Sequence, residues 1–100
     1  MRIVILPEAE ADIDRIAAFY DGQQDGLGTE VYRFLRDEID TLMMTAGTHR
    51  IRGRFHAMVV LGRFPYFLVM YRMASQTVEV CAVIDCRRDP EWNSDLLGKR

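Results

Sequence analysis

Residues 55–85 read FHAMVVLGRFPYFLVMYRMASQTVEVCAVID, and this stretch decides the fold. It contains three apolar runs rich in β-branched and aromatic residues, at 55–62, 66–73 and 77–85, each with the texture of a strand. The breaks between them, Gly62-Arg63-Phe64-Pro65 and Ala74-Ser75-Gln76, are short enough for hairpin loops. Three consecutive antiparallel strands follow. The third run alternates, with Val78, Val80, Ala82 and Ile84 expected on one face and Glu79, Cys81, Val83 and Asp85 on the other.

Upstream, residues 48–54 (THRIRGR) are basic and aperiodic and are expected to form a loop. Before them, Val31, Phe34, Leu35, Ile39, Leu42 and Met43 recur at helical spacing, which predicts a helix from about Thr29 to Ala46 with Gly47 as its C′ residue. Ala9, Ile13, Ile16, Ala17 and Tyr20 mark a first helix. It starts at Pro7, with Glu8, Glu10 and Asp12 at its positive end. The glycine-rich DGQQDGLG (21–28) ends it and joins the two helices into an antiparallel hairpin. Residues 2–6 (RIVIL) form a short leading strand. The predicted order is β-α-α-β-β-β. This is an α+β domain spanning residues 1–100, with the helical hairpin packed on one mainly antiparallel sheet.

Composition is that of a globular chain, with 49% hydrophobic and 28% charged residues. No apolar run approaches the roughly 18 residues of a membrane span. Pro7, Glu8 and Glu10 interrupt the N-terminal apolar run, so no signal peptide is read and the cytoplasm is the expected setting. The net charge of −2 hides an asymmetry. Residues 1–50 carry five arginines against ten acids, whereas residues 51–100 carry eight basic residues against five acids. Twelve of the thirteen basic residues are arginine, the exception being Lys99. Permanently charged, bidentate forks are therefore plentiful, and lysines able to transfer protons are nearly absent. The two cysteines, Cys81 and Cys86, form no CxxC pair, and His49 and His56 lie far upstream, so zinc spacing is lacking. Reduced thiols, no metal and no cofactor are expected.

Four strings resemble the RelE/ParE superfamily of toxins from bacterial type II toxin–antitoxin systems, also called plasmid-stabilisation proteins. They are PEAEADIDRIAAFY (7–20), GLGTEVYRFLRDEIDTL (26–42), RFPYFLVMYRM (63–73) and VCAVIDCRRDPEW (80–92), in the family's order along almost the whole chain. The resemblance implies the same β-α-α-β-β-β architecture. It also implies a cognate antitoxin that wraps the toxin into a hetero-oligomer. ParE-like members poison DNA gyrase by binding; RelE-like members cut messenger RNA on the ribosome.

Cutting RNA requires a general base, a cationic clamp and a general acid converging on one phosphate. In the RelE branch, basic residues entering the middle strands and a tyrosine or histidine near the C-terminus supply them. Here Arg50, Arg52 and Arg54 precede the second strand, but arginine transfers protons poorly. Tyr66-Phe67 stand where RelE-like members carry an arginine, with Arg63 on the turn before them. Arg87-Arg88 follow the last strand, Asp85 replaces a frequent histidine, and the later aromatic is Trp92, whose indole is neither acid nor base at neutral pH. The expected target-binding surface is therefore Arg50, Arg52, Arg54, Arg63, Asp85, Arg87, Arg88 and Trp92, in a ParE-like chain that inhibits gyrase without chemistry of its own. The alternative is a ribosome-dependent endoribonuclease using Arg52, Arg54, Arg63, Arg87 and Arg88 as clamp and His49 or His56 for proton transfer. A third reading is a degenerate toxin that survives as an antitoxin-binding module.

Overall fold

The computed structural model describes residues 1–64 and 66–87, so Pro65, Arg88 and Trp92 lie outside the described residues. The chain runs β1 (Arg2–Ile5), α1 (Pro7–Gln23), α2 (Leu27–Asp40), the single turn α3 (Leu42–Thr45), β2 (Arg50–Arg52), β3 (Phe55–Val60), β4 (Phe67–Ala74) and β5 (Thr77–Asp85). The strands form one sheet in the order β1-β5-β4-β3-β2. β1 runs parallel to β5 and every other pair is antiparallel. The expected α+β architecture is present, with one strand added at the sheet's edge. That strand, β2, lies in the segment expected to be a loop. Three residues are too few to show a period, yet Arg50, Ile51 and Arg52 pair with Ala57, His56 and Phe55.

Leu6 takes the extended conformation imposed on a residue before proline, and Pro7 opens α1. The Leu6 N–H donates to Val80 O at 3.0 Å, after which β5 continues with no described strand on that side. α1 passes over this bare edge. The carboxylate of Asp12, only 1% exposed, accepts the Val83 N–H at 3.0 Å and is also bonded by Arg15 at 2.6 Å. A side chain thus takes the place of a neighbouring strand and satisfies a buried backbone donor.

The hairpin's apolar stripe is largely as expected. Ala9, Ile13 and Ile16 from α1 and Val31, Leu35 and Ile39 from α2 are buried against Val60, Phe67, Val69 and Tyr71 of the sheet. Burying each large aliphatic side chain is worth about 1.5–3 kcal/mol. The close crossing of the helices depends on Gly28, where a Cβ would run into the Ala17 carbonyl oxygen and Asp21 Cβ. Asp21 Oδ1 ties the connection by accepting the N–H groups of Gly26 at 2.9 Å and Gly28 at 3.2 Å.

Two details depart from expectation. The second helix is broken at Thr41, whose hydroxyl donates to Glu38 O and competes with the helical ladder. Leu42 stays buried, but Met43 is exposed rather than part of the stripe. In the last strand, Met70 pairs with Ala82 while Tyr71 pairs with Val80, so Cys81 is an extra residue that bulges out of register. The alternation switches there. Val78, Val80 and Val83 face the helices, whereas Cys81, Ala82 and Ile84 join Phe55, Ala57 and Met70 on the opposite face. Cys86 packs against that same second cluster, so the two cysteines do not fall on opposite sides as a continuous strand would place them, and no disulfide joins them.

Candidate functional site

The sequence-predicted residues divide between the two faces of the sheet. Arg50 and Arg52 pair across to Ala57 and Phe55, which lie on the face away from the helices, so both arginines are directed to that face. Arg54 follows in the turn to β3, with its guanidinium 5.7 Å from the Phe55 ring centroid. All three arginines are exposed, and among the described residues no carboxylate lies within ion-pairing distance of them. Arg52 reaches far enough over this face to act on Cys86. Burial pushes that thiol above its ordinary pKa, with the nearby Asp85 adding to the effect, and Arg52 pulls it the other way.

Arg63 sits apart from this group. It lies on the helix side, paired with Glu30 of α2 at 3.1 Å, and its guanidinium is 5.1 Å from the Phe64 ring centroid. Asp85 also faces the helices, because the bulge at Cys81 turns it inward. It is 5% exposed, with one oxygen accepting the Tyr20 hydroxyl at 3.1 Å and the other accepting the Arg87 N–H at 3.1 Å. In this position Asp85 closes the end of β5.

The two histidines come together around Tyr71. The phenol, fully buried on β4, accepts the Gly47 N–H at 2.9 Å and lies 2.6 Å from His49 Nδ1. Among the described residues His49 Nδ1 is the acceptor in reach of the buried phenol's proton, and assigning that proton to it puts the His49 hydrogen on Nε2. His56 stacks on the Tyr71 ring at 5.0 Å and 14°, and its Nδ1 donates to His49 O at 3.0 Å. Burial, with His56 second, holds the His49 imidazole below its usual pKa of 6.5. His49 is therefore not a solvated loop residue, and Tyr71 is a polar hub as well as core. No sequence signal links these three residues; only the pairing of His56 with Tyr71 across β3 and β4 does.

The histidine–tyrosine cluster and Arg63 are on the helix side, while Arg50 and Arg52 face away. Among the described residues, no set of three His, Cys, Asp or Glu side chains is arranged to hold a metal ion, and no helix is long and apolar enough to cross a membrane. An open groove of about 490 Å³ runs along the hairpin between Ala17, Ala18, Thr29, Tyr32 and Arg33; it contains none of the predicted residues.

No family model matches the sequence, and no curated protein matches it closely enough to count. Among solved structures, the chain is similar to one from the chromosomal ParDE TA (toxin–antitoxin) system from P. aeruginosa. The TM-score is 0.72 and the identity 16%, over 83% of this chain and 92% of that one. The likeness read from the four strings thus holds at the level of the fold.

Proposed function

We propose that this chain is the toxin component of a type II toxin–antitoxin system, acting on its target by binding rather than by cutting RNA. The observation that carries the first part is the shared fold with a chain of a ParDE system. The second part is supported by the placement of the proton-transfer candidates, His49 and His56, on the face of the sheet opposite Arg50 and Arg52. An RNA-cutting site needs acid, base and cation within hydrogen-bond reach of one another.

The target in this reading is DNA gyrase, as in the ParE branch that the sequence resembles. The exposed arginines of β2 and the turn after it form the contact surface, and a cognate antitoxin holds the chain silent in a hetero-oligomer in the cytoplasm. Arginine forks suit the carboxylates of an acidic protein surface, and these three have no ion-pair partner among the described residues. The test is the chain purified free of any antitoxin, assayed for gyrase supercoiling and for cleavage of ribosome-bound message. Supercoiling should be inhibited and message left intact. Message cut at discrete codons, with gyrase unaffected, would overturn the reading in favour of an endoribonuclease. Loss of both activities in a chain that still binds its antitoxin would favour a degenerate module.

A further inference from the structure

The geometry points to an acid-sensitive latch: His49, Tyr71 and His56 fasten the edge strand β2, and the arginines it carries, to the rest of the sheet. β2 is three residues long and, among the described residues, pairs on one side only, with β3. So short an edge strand holds poorly by its ladder alone. The chain leading into it is anchored at two points, both on Tyr71 Oη: the Gly47 N–H at 2.9 Å and the His49 imidazole at 2.6 Å. His56 adds the third tie by donating to the His49 carbonyl at 3.0 Å.

Protonation affects these ties unequally. The His56 Nδ1–H donates in either charge state, so that bond survives acid. The His49 bond does not survive unchanged. Once its Nδ1 carries a proton, two donors face one phenol oxygen, and the phenol's own proton is left without an acceptor in a fully buried position. The titratable groups facing His49 are His56 from β3 and Tyr71 from β4. α3 and residues 46–48 bear no charge, Arg50 and Arg52 of β2 are directed to the opposite face, and the Arg72–Glu79 pair of β4 and β5 lies on that opposite face too. Among the described residues no carboxylate is therefore placed to welcome the imidazolium, and a charged His56 would oppose it. Burial and His56 hold the His49 pKa below that of an unfolded chain, so the latch is fully fastened above about 6.5 and loosens as pH falls through the lower folded value.

The measurement is residue-resolved amide hydrogen exchange of the whole chain, corrected for the intrinsic pH dependence of exchange, at about pH 7.5 and about pH 5.5, on either side of the ordinary histidine range. The β2–β3 ladder amides should lose protection, by at most about tenfold for one proton taken up over the single pH unit below 6.5, while amides pairing β1 with β5 keep theirs. His49→Asn keeps an acceptor for Tyr71 but cannot titrate, so protection should be high at both pH values. Tyr71→Phe removes the hub, so β2 should be weakly protected at both. Equal protection of β2 at the two pH values in the unsubstituted chain would overturn the latch. So would a fall shared equally by β1 and β5, or one that persists in His49→Asn. The latch exists whether or not the chain is a toxin.

Discussion

The acids of the helical hairpin and the arginines of the β2 edge are used in opposite ways. On the hairpin, four carboxylates are engaged by the fold itself: Asp12 on the Val83 N–H, Asp21 on the interhelical connection, Glu10 on Arg36 and Glu30 on Arg63. At the β2 edge, Arg50, Arg52 and Arg54 are exposed with no carboxylate near them among the described residues. Those four carboxylates help to hold the molecule together, whereas the described structure gives the edge arginines no such task.

Substitutions can break that contrast, and the largest effect belongs to Asp12. Asp12→Ala strands the Val83 N–H inside the protein, and urea unfolding should show a loss of about 2–3 kcal/mol. A cost near zero would mean the bare edge of β5 needs no cover. Glu30→Gln breaks an ion pair whose partners are both well exposed, so the same assay should show about 0.5 kcal/mol or less. The smallest structural effect belongs to Arg50→Ala combined with Arg52→Ala, within about 0.5 kcal/mol of no change. If the proposed function holds, that double variant loses its growth-inhibiting activity while keeping its melting profile. If it unfolds as readily as Asp12→Ala, the edge arginines are structural and the contrast disappears.

The elements themselves were legible because helical and strand periods repeat over many residues, as in the stripe from Val31 to Ile39. What stayed hidden was set by single residues or by register. β2 is shorter than any period. The bulge at Cys81 leaves an unbroken alternation in the sequence yet reverses the faces of Val83 and Asp85, and only strand pairing exposes it. The same limit applies to the site. The arginines before β3 could be listed from the sequence, but not that Arg63 spends its charge on Glu30, or that the two histidines meet over one buried phenol. Such contacts join residues far apart in the chain, and local patterns carry no record of them.

The parallel pairing of β1 with β5 has a consequence for how the molecule comes into being. Residues 2–5 leave the ribosome well before residues 77–80, their strand partner among the described residues. Until that late segment emerges, the hairpin that follows β1 has no finished sheet to cover, and the carboxylate of Asp12 has no Val83 N–H to meet. Contacts of such high sequence separation are slow to form. A nascent chain truncated before Thr77 therefore carries β2, β3 and β4, with the edge arginines and both histidines, but lacks β5, the strand that joins β1 to them.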